Sequence, residues 1–178
     1  TRNRTLSLIL PAFGAAIIAT LAQIVIPIGA VPITLQTFAV GLVAAILKPR
    51  EATLAATLYL ILGAIGLPVF AGGGGGLQAF FGPSAGYLLA YPFFALVTSA
   101  LAHAKTPIWK IFLAFVLGDA LVFIGGILSL HFLGKMGWSA AVAVGLTPFI
   151  IPDLLKGLIV ALVTKPVLKA LKNHSYFN

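Results

Sequence analysis

Long apolar stretches, separated by short groups of turn-forming and charged residues, run along almost the whole of this chain. Stretches of this kind are typical of membrane-spanning helices, which need about 20 apolar residues to cross a hydrocarbon core of ~30 Å. The pattern predicts six helices, at 6–26, 34–47, 52–66, 82–102, 108–133 and 148–171. We therefore expect an all-α integral membrane protein, with residues 1–178 forming a single transmembrane domain.

Three of these segments depart from a simple span. The second and third helices would be only ~21–23 Å long at 1.5 Å per residue, so we expect them to be tilted or to end at a cavity lined by protein. Residues 139–147 form either a short separate helix or the first part of the sixth helix. Pro152 is expected to kink or restart the sixth helix just before Asp153.

The composition agrees with a membrane protein. Hydrophobic residues make up 61% of the chain and charged residues 8%, against about 25% charged residues in soluble domains, and the mean hydropathy is +1.14. There is no cysteine, so neither disulfides nor thiol-bound metals arise. The net charge of +8 does not indicate a nucleic-acid partner, because the basic residues are scattered at the ends of the predicted spans.

The positions of the basic residues predict the orientation of the chain. If the N-terminus is cytoplasmic, nine basic residues lie in cytoplasmic segments: Arg2, Arg4, Lys48, Arg50, Lys105, Lys110, Lys165, Lys169 and Lys172. Lys135 lies in an outer loop, and Lys156 lies within a span. Basic residues favour the cytoplasmic side, so this asymmetry indicates six spans with both termini inside.

This orientation sends two unusual loops to the outside. One is the segment 27–37, and the other is the segment 66–87, which includes five consecutive glycines, Gly72 to Gly76. Neither loop carries a formal charge, and both are rich in proline, glycine and apolar residues. We expect them to fold back and cover a site in the outer half of the protein, with Asp153 beneath them.

Asp153 and Lys156 are two opposite charges within an apolar span. An ionisable group at that depth costs ~2.5–3.5 kcal/mol on insertion scales, and the spacing i, i+3 puts both on one helix face. The pair either satisfies itself or points into a cavity and recognises a polar solute. We favour recognition, because a purely structural pair is replaceable by apolar residues. Asp119, in the fifth span, is a competing partner for Lys156.

The glycine run is either a flexible hinge or a place where bare backbone groups approach a ligand. It fits neither the dinucleotide fingerprint nor the ATP-binding loop. Gln78, beside it, offers both a donor and an acceptor. His103, His131 and His174 are not spaced as metal ligands, and no catalytic constellation is evident. We therefore do not expect an enzyme.

Small residues recur at four-residue spacing on the first helix, at Ala12 and Ala16 and again at Ala15 and Ala19. Such faces allow helices to approach closely in lipid. The face serves either internal packing or contact with another membrane protein.

Four stretches together resemble one family, the BioY family, which comprises the biotin-specific substrate-binding (S) components of energy-coupling-factor (ECF) transporters. They are 31–37 (VPITLQT), 66–73 (GLPVFAGG), 82–88 (GPSAGYL) and 152–156 (PDLLK). The sequence departs from that pattern at Gly74 and Gly75, where relatives often carry a basic or polar residue.

The resemblance implies high-affinity capture of biotin from outside a prokaryotic plasma membrane, without a cofactor. It also implies docking through Ala15 and Ala19 onto a membrane scaffold subunit driven by two ATPases. The chain has no ATP-binding loop, so energy for uptake would come from those partners. The resemblance further implies that the first and third loops plug the site.

The residues we assign to the substrate site are Gln36, Phe70, Gly74, Gly75, Gln78, Tyr87, Asp153 and Lys156. Asp153 is expected to accept hydrogen bonds from the ureido N–H groups, and Lys156 to orient Asp153 or to meet a ligand oxygen. Three alternatives stay open: another vitamin on the same scaffold, an intramembrane enzyme, and an ion-coupled carrier. The carrier is disfavoured because the first half contains no matching Asp/Lys segment, whereas such carriers often have internal repeats.

Overall fold

The structure is a computed structural model that describes residues 4–29 and 31–177, and it is predominantly helical. Its helices within these residues are α1 Arg4–Leu21, α2 Gln36–Ile46, α3 Pro49–Ala64, α4 Ala85–Leu101, α5 Ile108–Phe132, α6 Trp138–Gly145 and α7 Ile150–Leu171. Three short 3-10 turns accompany them, at Ala71–Gly73, Leu77–Phe80 and Thr147–Phe149. The all-α prediction is confirmed. The segment 139–147 is mainly a short separate helix, α6, and not the start of the last one.

The predicted first helix is wrong at its C-terminal end. Helix α1 ends at Leu21, and Val25–Ile26 forms a strand, β1, that pairs antiparallel with β2, Ile33–Thr34. Two effects favour extended backbone here: β-branched side chains fit strands better than helices, and the residue before a proline, Pro27, avoids the α conformation. This small hairpin shapes one of the two loops predicted to cover the site.

Apart from the short helix α6, which lies at one end against α5, successive helices run in opposite directions and define two ends of the molecule. At one end, the pocket end, Gly72 N–H donates to the carbonyl of Ala22 (3.4 Å) and Ser129 Oγ donates to the carbonyl of Pro83 (2.7 Å). At the opposite end, the tail end, Lys165 Nζ donates to the carbonyl of Ala104 (3.3 Å). The two apolar loops predicted to face outwards therefore share the pocket end.

Close helix packing depends on small residues. A Cβ placed on Gly86 of α4 would collide with the carbonyl of Gly125 on α5, and a Cβ on Gly125 would collide with the carbonyl of Gly86. On the other side of the molecule, the buried alanines of α3 pack against α1. Approaches of this kind are how helices associate in lipid, where no hydrophobic force holds them together.

The outer surface is apolar. Among the described residues, three stretches are long and apolar enough to cross a membrane: Arg4–Leu21, Ile108–Phe132, and Trp138–Leu171, which contains both α6 and α7. Gln36–Ile46 and Ala85–Leu101 are shorter apolar helices. Large hydrophobic side chains such as those of Phe13, Leu117 and Leu162 lie exposed on the outside. These features are those of an integral membrane protein.

The basic residues are distributed as the charge count anticipated. Within the described part of the chain, the tail end carries Arg4, Lys48, Arg50, Lys105, Lys110, Lys165, Lys169 and Lys172. Lys135 lies at the pocket end. Arg2, which the count also used, and Ala30 of the first outer loop lie outside the described residues. The orientation in the membrane stays a prediction.

Candidate ligand-binding site

A cavity of about 390 Å³ lies at the pocket end, beneath the two loops. Its volume is in the range of small-molecule sites, about 300–1,000 Å³. It is lined from α2, α4, α5 and α7 and from both loops, and its wall is mainly apolar. Seven of the eight residues that we assigned to the substrate site line it: Gln36, Phe70, Gly74, Gly75, Tyr87, Asp153 and Lys156.

Asp153 and Lys156 form an ion pair at one side of this cavity. Asp153 Oδ1 lies 2.7 Å from Lys156 Nζ, and the two residues are 5% and 8% exposed. Lys156 Nζ also donates to the backbone carbonyl of Thr34 (2.7 Å) and to Thr37 Oγ1 (3.0 Å). An ammonium group has three protons, so each has an acceptor within the protein. Of the two roles expected for Lys156, the geometry fits the orientation of Asp153.

The start of α7 explains why a carboxylate is held there. Helix α7 begins at Ile150, after α6 ends at Gly145, and runs without interruption through Pro152, so the helix does not restart at Pro152 as predicted. Pro152 lies in the first turn of α7, where a missing backbone N–H costs nothing. Asp153 lies in the same turn, where the helix dipole stabilises a negative charge.

Asp119 lies behind the ion pair, on α5. It is 5% exposed and does not line the cavity. Phe115 of α5 packs on Gly157 of α7, and Asp119 and Asp153 each lie one helical turn nearer the pocket end, so the two carboxyl groups are neighbours. The ion pair that the structure gives Lys156 is with Asp153, so Asp119 is a neighbour of Asp153 and does not replace it as the partner of Lys156.

Gln36 is the centre of a buried polar network. Its Nε2 donates to the Tyr59 hydroxyl (2.7 Å), and its Oε1 accepts from the Tyr91 hydroxyl (3.1 Å) and lies 3.3 Å from Thr34 Oγ1. The amide is therefore held in one orientation, with one N–H left over. Sequence reasoning did not assign Thr34, Thr37, Tyr59 or Tyr91 to the site. The run Thr34–Thr37, polar within an apolar segment, was the available signal for the first two.

Phe70 closes the cavity from the loop between α3 and α4. Its ring lies directly over Gly63 and meets the rings of Tyr59 (5.5 Å between centroids) and Phe80 (5.8 Å). The glycines that follow form a hydrogen-bonded turn in which Phe70 N–H donates to the carbonyl of Gly74 (2.9 Å). Gly72, Gly73 and Gly76 have positive φ, which only glycine adopts at little cost.

Gln78 is the assigned residue that the structure leaves outside the cavity wall. Its side chain is exposed, and its Nε2 donates to the carbonyl of Gly75 (2.7 Å). It therefore supports the glycine turn. Tyr87, by contrast, lines the cavity, packs its ring on Gly126 and donates its hydroxyl to the carbonyl of Gly145 (2.6 Å).

The alanine face expected to meet a partner is divided by the fold. Ala15 is 1% exposed, within the core formed with α2 and α3, and Ala19 is half-buried. Ala12 and Ala16, on another side of α1, are exposed. Ala15 thus faces inwards, because the glycine beside it, Gly14, lets α1 approach Ala55 and Val43 closely.

The fold and the cavity define a membrane protein that holds a small solute beneath two loops at one end of a helical bundle. The chain belongs to the BioY family, whose model matches residues 1–173.

Similar proteins agree with this membership. The chain is 43% identical over 173 residues to the biotin transporter BioY2 of Lactococcus lactis subsp. cremoris, covering 96% of this chain and 95% of that protein. It is 39% identical over 148 residues to the biotin transporter BioY of Thermotoga maritima, covering 83% and 87%. A crystal structure of the S-component for biotin from an ECF-type ABC transporter superposes with a TM-score of 0.88 at 28% identity, over 100% of this chain and 99% of that one.

Proposed function

We propose that this chain captures biotin and delivers it for uptake, as the S component of an ECF-type transporter. The observation that carries this proposal is the carboxylate of Asp153, held by Lys156 at the wall of a mainly apolar cavity in a chain of the BioY family. Similar proteins are named biotin transporters, and the similar crystal structure is an S-component for biotin.

The chemistry of the cavity suits biotin. Its ureido ring has two N–H donors and one carbonyl, and a carboxylate is the strongest acceptor that a protein offers to such donors. Asp153 would accept from the ureido group, while Lys156 holds it in place. Phe70 and Tyr87 would pack against the sulfur ring, and the remaining N–H of Gln36 and the backbone of Gly74 and Gly75 would supply further polar contacts. Gln78 would act through the carbonyl of Gly75.

Uptake by cells tests this proposal. A biotin auxotroph without its own importer would express the chain together with an ECF module, and labelled biotin would be counted in the cells. We expect saturable uptake that unlabelled biotin competes for and that an excess of thiamine leaves unaffected. Equal competition by thiamine would point to another vitamin, and no uptake by a well-expressed chain would contradict the proposal.

We propose further that the whole chain is one transmembrane domain in the cell membrane, with the pocket end outside and both termini inside. The distribution of basic residues supports this orientation. Because the chain has no cysteine, a maleimide would label only the single cysteine that is introduced. Lys135→Cys should react with a membrane-impermeant maleimide in intact cells, whereas Lys105→Cys should react only after permeabilisation. The reverse pattern would invert the topology.

The partners we propose are a membrane scaffold subunit and two ATPases, docked through α1. Ala12 and Ala16 are exposed and lie four residues apart, so their side of α1, with Ala19 at its edge, lets another helix approach closely. Ala15 is buried and would contribute only by allowing α1 to pack on its own bundle.

A bulky substitution separates docking from capture. Ala16→Trp should leave biotin binding in detergent intact but abolish co-purification with the module. Ala143→Trp, on the exposed side of α6, is the matched control and should retain both. Co-purification of Ala16→Trp at the control level would exclude this face of α1.

A further inference from the structure

A second buried carboxyl group supports the cavity from behind. Asp119 is near the middle of α5, ~17 Å along the axis from Ile108 at 1.5 Å per residue. It is 5% exposed, and its Oδ1 has no hydrogen-bond partner among the described residues. Asp119 is therefore almost fully buried near the middle of a membrane-spanning helix, where an uncompensated charge is costly.

Three ionisable groups meet at this point with one positive charge between them. Asp153 and Lys156 come from α7, and Asp119 comes from α5. The titratable groups that face them from the neighbouring helices are the hydroxyls of Tyr87 and Tyr91 on α4 and of Tyr59 on α3. None of these is cationic, and the three protons of Lys156 already have acceptors. With both carboxyls ionised, the cluster would carry a net negative charge without a counterion.

The proximity of the two carboxyl groups also argues against both being ionised. Asp119 and Asp153 lie side by side on α5 and α7, each one turn nearer the pocket end than the contact of Phe115 with Gly157, and two bare carboxylates so placed have no donor between them and repel each other. A single proton removes the repulsion and supplies the missing donor. The charge belongs on Asp153, which has both Lys156 and the N-terminus of α7 beside it.

We propose that Asp119 is protonated and donates a hydrogen bond to Asp153, and that it thereby positions the Asp153 carboxylate for the ligand. This inference rests on the proposed function for its effect on biotin. Asp119 would hold one oxygen of Asp153 from behind, while Lys156 holds the group from the side of α2. Asp153 lines the cavity, so its remaining lone pairs would be available to a ligand there. A pH-dependent affinity follows, since loss of the shared proton at high pH would push Asp153 out of place.

Two substitutions at Asp119 distinguish positioning from simple packing. In Asp119→Asn the amide N–H replaces the donor but cannot titrate, whereas Asp119→Leu removes the donor. We expect Asp119→Leu to weaken biotin binding by about tenfold or more, as for a lost hydrogen bond to a charged group. Asp119→Asn should restore most of that loss, and its affinity should fall less than that of the parent as the pH is raised. Equal losses in the two variants, or equal pH profiles in Asp119→Asn and the parent, would overturn the proposal.

Infrared spectroscopy tests the proton without any ligand. The parent chain should show the C=O stretch of a protonated carboxylic acid, and Asp119→Asn should lack it. Its absence from the parent at neutral pH would overturn the inference, even if Asp119→Leu fails to fold. If the parent shows the band but does not bind biotin, the shared proton stands and the proposed function fails.

Discussion

Under the proposed function, recognition depends most on Asp153. Exchanging its carboxylate for an amide keeps the shape but removes the charge-assisted acceptor, which contributes ~1.5–3 kcal/mol net. Asp153→Asn should therefore weaken biotin binding by roughly tenfold or more in an equilibrium titration. Gly137→Ala, at a position where an added Cβ meets nothing within 4 Å, is a control that should bind as the parent does. Parent-like affinity in Asp153→Asn would remove Asp153 from the site.

For the ion pair of Asp153 and Lys156 we expect a structural role as well as the proposed binding role, and a double substitution separates them. Lys156→Met should lower the melting temperature, because breaking a buried pair costs ~3–5 kcal/mol by leaving one charge uncompensated. Adding Asp153→Leu should restore much of the stability, since apolar replacement of a whole pair is often neutral.

Biotin binding distinguishes the two roles in the same variants. The double variant should be stable but unable to bind. If it binds biotin as the parent does, the pair is a purely structural ion pair, which is the alternative that the sequence left open.

At the scale of helices, the contact between α4 and α5 is set by Gly86 and Gly125, whose backbones touch. Gly125→Ala would drive a methyl group against the carbonyl of Gly86, and overpacking of this kind costs ~1–3 kcal/mol. A lower melting temperature in detergent is expected. Gly137→Ala is again the matched control, and it should change stability by less than ~0.5 kcal/mol. A parent-like melting temperature for Gly125→Ala would contradict the close approach.

The cover of the cavity depends on the loop between α3 and α4. Because the ring of Phe70 lies directly on Gly63, Gly63→Ala should displace the ring from the cavity wall. We expect faster release of biotin, measured as koff, because the ring of Phe70 would no longer pack over the cavity. An unchanged koff would mean that Phe70 adapts or does not retain the ligand.

The helices could largely be predicted from the sequence, because apolar runs of this length have few alternatives in a membrane. Their ends were less certain. The run Ile24–Ile26 continues the hydropathy of α1, so hydropathy alone could not show that it forms a strand. Local effects of β-branching and Pro27 decide that boundary, and they become decisive only when Ile33–Thr34 is available as a partner strand.

Residues that line the cavity could be predicted from the sequence mainly where their type is unusual for a membrane span. Asp153 and Lys156 stand out because charges are scarce in spans. The sequence does not show which side of a helix faces the rest of the protein. Ala15 and Ala16 are adjacent and equally small, yet one is buried and the other exposed. Side-chain direction in a loop is equally hard to predict, and the side chain of Gln78 turns to Gly75 and away from the cavity. Asp119 could not be assigned to the site because its neighbour there, Asp153 on α7, is 34 positions along the chain.

At the scale of the whole molecule, the bundle has its candidate ligand cavity at the pocket end, beneath the two loops. At the tail end the hydroxyl of Tyr176 accepts from the backbone N–H of Lys48 (2.9 Å), and Lys48 lies over its ring (5.0 Å to the centroid). At the pocket end, loops cover the cavity instead of a helix. An S component needs a site that opens to one side, and this division provides it.

Equilibrium binding of biotin to the purified chain in detergent, with thiamine and riboflavin as controls, tests the central claim most directly. We predict tight binding near one biotin per chain, with neither control competing. A folded sample that does not bind biotin, or that binds the three vitamins equally, would contradict the assignment and return the ion-coupled carrier and the enzyme to consideration.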